Sequence, residues 1–205
     1  MSKYKDLLRA LCEEHDGYRR KIRFLRIVAQ YFADNHLRMP VIVGGEAVEI
    51  YTQGAFTSLD IDIKSSLEGL VDCLEKELGF ERMQHNFFNK NPLLAVEWQG
   101  AALEEGHEAE SRVRKLSIDG TIIGIIGLED LIIDRLNAAK FSRHNESYEQ
   151  AKSILAGARI GGLDYDATYA EKRAAHDDVL DTYQRMLQDV ELELARFKEL
   201  DTPQE

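Results

Sequence analysis

The sequence predicts an α/β (α+β) fold: a β-sheet with flanking helices, preceded by N-terminal helices and followed by a C-terminal helical segment. Apolar residues recur at helical spacing over residues 18–35. Short alternating or apolar runs, bounded by turn residues, fill residues 40–126 and are typical of strands. From Leu128 onward the spacing becomes helical again. These three observations favour a sheet-containing core between two helical regions.

Composition excludes several classes of protein. The chain has 205 residues, 44% of them hydrophobic, and three prolines, which is typical of a globular protein. No apolar stretch reaches the ~20 residues that a membrane span needs, and the N-terminal residues lack the apolar core of a signal peptide. We therefore expect a cytoplasmic protein without membrane contact, with Cys12 and Cys73 as reduced thiols. The net charge of −11 argues against a broadly basic nucleic-acid-binding surface but leaves a local basic patch open.

Two helices are predicted before the first strand. They cover residues 3–14 and 18–35, and the sequence His15-Asp16-Gly17 separates them. The second helix places apolar residues on one face and several basic residues on the other. That basic face is interpreted either as a solvated surface or as a patch that attracts a polyanion.

Strands and helices alternate in the central part of the chain. The predicted elements are a strand at 41–44, a helix at 45–52, a strand at 58–64, a helix at 67–78, and strands at 80–84 and 93–99. Residues 100–110 are predicted to form a polar loop. Residues 112–126 form the clearest hairpin, because Asp119-Gly120 is a typical two-residue turn between two strand-like runs.

The C-terminal region is predicted to be helical throughout. One helix covers residues 128–141, and a second begins at Glu146 and ends at Gly157. A long run through Lys198 has apolar residues at every third or fourth position, which indicates a packing stripe rather than a cofactor site. The stripe consists of Val179, Leu180, Tyr183, Leu187, Val190, Leu194 and Phe197.

The strand at 58–64 raises the main functional question. Strand alternation predicts that Asp60 and Asp62 project from one face, while Leu59, Ile61 and Ile63 face the core. A solvated edge strand is one explanation, although two like charges on one face repel each other. A divalent cation removes that repulsion, and magnesium prefers hard oxygen ligands that it shares with substrate phosphates. The pattern therefore favours a magnesium site.

A double glycine, Gly44-Gly45, lies between the first strand of the sheet and the helix that follows it. Glycines at such a junction allow the backbone to approach a ligand closely, and amides at the start of a helix can bind an anion. The other explanation is a tight strand-to-helix turn without a ligand. Next to Asp60 and Asp62, the glycines suggest a phosphate that binds beside a carboxylate-bound metal.

The pattern of apolar-Gly-Gly, helix, and Asp-apolar-Asp-apolar resembles the DNA polymerase beta-like nucleotidyltransferase superfamily. The stretch GGEAVEIYTQGAFTSLDIDI looks like small bacterial members related to AbiEii-type toxins, and IIGLEDLIIDRLNAAKFSRHNESYEQAKSIL is similar to their helical segment after the sheet. The resemblance covers about residues 38–165. It implies a nucleotidyltransferase-type mixed sheet, with N-terminal helices at 1–36, a catalytic core at 37–127 and a C-terminal helical region at 128–205.

The resemblance also implies a set of site residues. Glu97, between Val96 and Trp98, matches the third catalytic carboxylate, which would bind metal with Asp60 and Asp62. Many family members have Gly-Ser where this chain has Gly44-Gly45, so the hydroxyl of that serine is missing here. The residues expected to bind the nucleotide are Gly44, Gly45, Thr57, Lys140 and Arg143. For Lys140 and Arg143, ordinary helix-surface charge is the alternative.

The function implied by the resemblance is magnesium-dependent nucleotidyl transfer, with manganese as an alternative ion. A nucleoside triphosphate would be the donor and a hydroxyl group of RNA, tRNA or a protein the acceptor. The protein would act in a toxin-antitoxin or phage-defence system and, through its C-terminal helices, bind a second copy or an antitoxin. The rival hypothesis is a non-catalytic binding protein with the same fold, such as an antitoxin or regulatory partner. The histidines do not have the spacing of a zinc site.

Overall fold

The computed structural model describes residues 2–142 and 145–200, without the side chains of residues 145 and 198–200. The chain forms two compact units. The first consists of Met1–Ile50 and Thr57–Gly127, and the second of Tyr51–Phe56 and Leu128–Glu205. Among the described residues, no helix combines the length and the apolar composition that crossing a membrane requires.

The first unit contains helices and all the strands of the described sheet. Its helices are α1 (Lys3–Ala10), α2 (Gly17–Asp34), α3 (Gly44–Tyr51), α4 (Leu67–Val71) and α5 (His107–Ser111). A 3-10 turn at Leu11–Glu13 follows α1, and a π-helical stretch at Asp72–Glu77 continues α4. The strands are β1 (Val41–Ile42), β2 (Ile61–Lys64), β3 (Glu81–Met83), β4 (Asn86–Lys90), β5 (Leu93–Trp98), β6 (Arg114–Ile118) and β7 (Thr121–Ile125).

The described strands form one seven-stranded mixed sheet in the order β3-β4-β5-β2-β1-β7-β6. β2 pairs with β5 and β1 pairs with β7 in parallel, whereas the other neighbours are antiparallel. The prediction of a mixed β-sheet with flanking helices, an α/β fold, is confirmed. β1 and β2 are antiparallel neighbours inside the sheet, so the predicted glycine turn after β1 and the predicted aspartates at the start of β2 lie at the same end.

Local sequence signals explain several of these elements. Asp16 caps α2 by accepting a hydrogen bond from the backbone N–H of Arg19, 3.0 Å away. The apolar face of α2 packs against β7, and Phe24 stacks on Phe80 with ring centroids 5.5 Å apart. In the β6–β7 hairpin, Asp119 and Gly120 both have positive φ angles, as the predicted two-residue turn requires.

Several predictions for the first unit differ from the structure in detail. The polar loop predicted at 100–110 contains the start of α5, and β4 was not predicted at all. The strand predicted at 58–64 begins only at Ile61, so alternation does not extend back to Leu59. Leu59 is 94% exposed and does not face the core, whereas Ile61 and Ile63 are fully buried as predicted.

The second unit is built from helices α6 (Leu128–Phe141), α7 (Asn145–Ile160), α8 (Ala167–His176) and α9 (Leu180–Leu200). α9 packs against α6, α7 and α8. Val179, Tyr183 and Val190 of the predicted stripe are buried, which confirms that it packs against the rest of the chain. Phe197, by contrast, is exposed.

Two helix boundaries in this unit differ from the prediction. α7 continues past Gly157 to Ile160, because burial of neighbours such as Ile154 and Ala158 outweighs the ~1 kcal/mol that a glycine costs inside a helix. The long C-terminal run is two helices instead of one. α8 ends where Asp178 takes a φ of 58°, a left-handed conformation that ends helices and that aspartate tolerates.

Candidate active site

The turn between β1 and α3 brings the backbone against the side chain of Asp62. Gly44 has a φ of 57°, and a Cβ atom at this position would lie 2.2 Å from Oδ2 of Asp62. Any side chain would therefore collide with the carboxylate, in addition to the strain of the left-handed conformation. The glycine is needed for close approach between this turn and the next strand of the sheet.

Asp62 lies in the middle of β2 and is held by two hydrogen bonds. The backbone N–H of Gly45 donates to its Oδ2 over 2.9 Å, and Nε2 of Gln99 donates to its Oδ1 over 3.1 Å. Burial raises the pKa of Asp62, an effect that the hydrogen bonds oppose and the nearby carboxylates of Asp60 and Glu97 reinforce. Both oxygens thus have a fixed orientation in a place where negative charge is unfavourable.

Glu97 lies beside Asp62 because β2 and β5 are parallel and in register. Asp62 pairs with Glu97, while the flanking residues Ile61 and Ile63 pair with Val96 and Trp98. Asp60 is the residue immediately before β2, and its side chain lies near those of Asp62 and Glu97. One carboxylate oxygen from each of Asp60, Asp62 and Glu97 lies within 4.8 Å of the others. The structure therefore brings together the three carboxylates that the sequence singled out.

These carboxylates fit a divalent cation such as magnesium. The donor set consists only of oxygen atoms, which are the ligands that magnesium prefers. Asp60 and Glu97 are half-buried, so the site reaches solvent on one side, while Asp62 is buried. Within the first unit, no described lysine or arginine forms an ion pair with any of the three.

A second group of carboxylates lies in α3, and here a lysine accompanies them. Nζ of Lys21, from α2, lies 2.7 Å from Oε2 of Glu46 and also donates a short hydrogen bond to Oε2 of Glu49. Glu46 is fully buried, and its Oε1 has no hydrogen-bond partner among the described residues. Burial raises the pKa of Glu46 to about 7, against the opposing effect of Lys21.

Sequence reasoning missed Ser58, Gln99 and the Lys21 group. Ser58 lies in the loop before β2, where its N–H donates to Glu49 over 2.7 Å and its carbonyl accepts from Lys21 over 3.1 Å. Gln99 follows Glu97 by two residues, so strand alternation could have placed it on the same side as Glu97. No comparable pattern links Lys21 to Ser58, which is 37 residues away.

The other residues expected to bind a nucleotide occupy different surroundings. The N–H of Gly45 donates to Asp62, and Thr57 is exposed in the loop before β2. Lys140 belongs to the second unit, where its Nζ lies 3.5 Å from both Asp178 and Asp181 and contacts the backbone carbonyl of Asp178. Arg143 lies outside the described residues.

Comparison with known proteins bears on the fold. No protein-family model matches the chain, and no curated protein matches it. Among solved structures, ANT(2'')-Ia in complex with adenylyl-2''-tobramycin is similar, with a TM-score of 0.50 and 19% identity over 77% of this chain and 97% of that chain. A nucleotidyltransferase-like protein from Paracoccidioides brasiliensis gives a TM-score of 0.49 and 14% identity, over 73% of this chain and 75% of that chain. A solution structure of ANT(2'')-Ia gives 0.42 and 20%, over 74% and 91%. The similarity to the first of these structures shows that the chain has a nucleotidyltransferase-type fold.

Proposed function

We propose that the protein is a magnesium-dependent nucleotidyltransferase that moves a nucleotidyl group from a nucleoside triphosphate to a hydroxyl acceptor. The observation that supports this most directly is the convergence of Asp60, Asp62 and Glu97 within 4.8 Å beside the β1–α3 turn. Three carboxylates without a cationic side chain of their own unit repel each other, so the arrangement favours a bound cation. The nucleotidyltransferase-type fold supports the same reaction class.

Each carboxylate has a role in this proposal. Asp60, Asp62 and Glu97 hold magnesium, with manganese as the alternative ion. When bound, the metal supplies charge stabilisation for the attacking and leaving oxygens, worth several kcal/mol in such reactions. Gly45 and Gln99 occupy one lone pair on each oxygen of Asp62 and so fix the direction of the remaining ones. We assign Gly44, Gly45 and Thr57 to the nucleotide, whereas for Lys140 and Arg143 this role stays an expectation from the family resemblance.

The transfer itself needs one proton acceptor. The acceptor oxygen forms a bond to the α-phosphorus, while the bond from that phosphorus to pyrophosphate breaks. Glu97 takes the hydroxyl proton, because both oxygens of Asp62 already accept hydrogen bonds. The carboxylate of Glu97 accepts no hydrogen bond from the described residues and is half-buried, so it remains accessible to the acceptor.

Two classes of acceptor follow from different arguments. The resemblance to AbiEii-type toxins supports RNA, tRNA or a protein as the acceptor, in the cytoplasm and with an antitoxin as partner. The bound product in the ANT(2'')-Ia structure, adenylyl-2''-tobramycin, supports a small hydroxylated molecule instead. Incubation of the protein with each α-labelled nucleoside triphosphate in a cell extract separates them. Label in RNA or protein supports the first class, and label only in small molecules supports the second.

The non-catalytic alternative is not favoured, because a pure binding protein has no need for three converging carboxylates. Calorimetric titration tests the choice. We expect one or more of ATP, GTP, CTP and UTP to bind only when magnesium is present, and Asp62→Asn to abolish binding and transfer while circular dichroism stays unchanged. Asp6→Asn, an exposed aspartate in α1, serves as the matched control and should behave like the wild type. If no nucleotide binds with or without magnesium, the protein is not a nucleotidyltransferase.

A further inference from the structure

The structure places one hydroxyl group directly over the glycine turn. A Cβ atom built on Gly45 would lie 2.7 Å from Oγ of Ser58 and 3.3 Å from its Cβ. The hydroxyl of Ser58 therefore fills the space that a side chain at position 45 would occupy. A serine at position 45 and the serine at position 58 would compete for the same place.

The backbone of Ser58 is fixed although it lies in a loop. Its N–H donates to Oε2 of Glu49 over 2.7 Å, and its carbonyl accepts from Nζ of Lys21 over 3.1 Å. Both partners belong to a buried ion pair between α2 and α3. Because buried charged partners form strong hydrogen bonds, this loop position is held by the interior of the first unit rather than by secondary structure.

The hydroxyl itself is only weakly held. Among the described residues, its single hydrogen-bond partner is Oδ1 of Asp60, at 3.5 Å, which is the limit of hydrogen-bond distance. Ser58 is half-buried, and its hydroxyl lies beside the carboxylate of Asp60. A fixed backbone with an available hydroxyl is the arrangement expected of a ligand-binding group.

We propose that Ser58 donates a hydrogen bond from its hydroxyl to a phosphate oxygen of the nucleoside triphosphate, across the gap that Gly45 leaves open. This inference rests on the proposed function and extends it to a residue that the sequence did not indicate. Lys21 and Glu49 act as positioning residues for Ser58 and do not touch the substrate.

The experiment exchanges the two positions. Ser58→Ala removes the hydroxyl and should weaken magnesium-dependent binding of the nucleoside triphosphate ~10- to 100-fold, the usual effect of losing a hydrogen bond to a charged group. Gly45→Ser alone should weaken binding as well, because its side chain collides with Ser58. The double variant Gly45→Ser, Ser58→Ala carries one hydroxyl in the same space and should recover most of the loss.

Calorimetry with each of the four common nucleoside triphosphates provides the binding constants, and circular dichroism verifies folding. Ser117→Ala, an exposed strand serine in β6, is the matched control and should bind like the wild type. If Ser58→Ala binds the nucleotide as well as the wild type does, the inference is wrong and the proposed function stands. The same holds if Thr57→Ala, which removes the neighbouring hydroxyl, is the only variant that weakens binding. A double variant as weak as Ser58→Ala also overturns it, since the hydroxyl would then not be the active group. If the wild type binds no nucleotide, the proposed function and this inference fail together.

Discussion

Two groups of carboxylates lie on neighbouring elements of the first unit and are treated in opposite ways. In α3, Glu46 and Glu49 surround the ammonium group of Lys21. At β2 and β5, Asp60, Asp62 and Glu97 converge without a lysine or arginine from the described part of the same unit. The first group is closed off from water, whereas the second opens to solvent through its half-buried members.

The difference indicates what each group is for. A buried ion pair is costly to break but contributes little over an apolar replacement, so its value lies in fixing geometry. Lys21 fixes the loop that carries Ser58. An accessible cluster of like charges has no such internal compensation and gains most from a cation that arrives from solution. The α3 group is therefore interpreted as support, and the β2–β5 group as the site that it supports.

The largest effect should come from removal of the internal cation. Lys21→Met leaves Glu46 and Glu49 buried without compensation, and we expect a loss of about 3–5 kcal/mol in the free energy of unfolding at pH 8. The loss should be smaller at pH 5, because burial raises the pKa of Glu46 to about 7 and this side chain is then protonated. Urea unfolding monitored by circular dichroism at both pH values measures the difference.

Lys152→Met is the matched control for this prediction. The side chains of Lys21 and Lys152 are both 11% exposed, and each lysine pairs with two glutamates. The partners of Lys152 are 58% and 44% exposed, so water can solvate them when the lysine is lost. Its replacement should cost ~1 kcal/mol or less. Equal losses for the two variants would contradict the distinction between a closed and an open group.

The pH dependence of stability should reveal the charge on Glu46. Its pKa is about 7 in the folded protein, against an ordinary value of 4.5. The folded state therefore keeps a proton that the unfolded state releases between these values. The resulting stability is present in full below about pH 4.5 and is lost as the pH rises through 7.

Glu46→Gln removes this dependence. At pH 8 the variant should be more stable than the wild type by up to about 3 kcal/mol, and the advantage should shrink toward pH 5. Thermal unfolding of both proteins across this pH range measures the effect. An advantage that stays constant with pH would show that Glu46 does not titrate in the folded state.

Fold prediction from the sequence succeeded where the local signal was strong. The β6–β7 hairpin was predicted from Asp119-Gly120, because these two residue types accept the positive φ angles of a two-residue turn without help from distant contacts. β4 gave no such signal, because only Phe87 of its two phenylalanines is buried and the strand exists by pairing with β3 and β5. Tertiary packing also explains why α7 continues past Gly157, where the local sequence predicts a helix end.

For the site as well, residues with a local sequence signal were predicted and residues placed by tertiary contacts were missed. Asp60 and Asp62 stand out in sequence because their spacing and apolar neighbours form a local pattern, and Glu97 came from the family resemblance. Ser58 could not be found in this way, since its position depends on Lys21 and Glu49 and on the absence of a Cβ atom at Gly45. These are contacts between distant segments, which neither periodicity nor spacing encodes.

The smallest expected effect concerns the open group, and it needs no nucleotide. Magnesium alone should stabilise the wild type by about 2.7 kcal/mol when its concentration is 100 times the dissociation constant. For a chain of this size, that raises the melting temperature by roughly 5 to 10 degrees. Glu97→Gln removes one of the three anionic ligands and should lose most of this increase, although the amide preserves the shape of the side chain. Glu81→Gln, an exposed strand glutamate in β3, should keep the full increase. If magnesium stabilises both variants equally, it binds elsewhere on an acidic surface, and the contrast between a closed and a metal-accepting carboxylate group no longer holds.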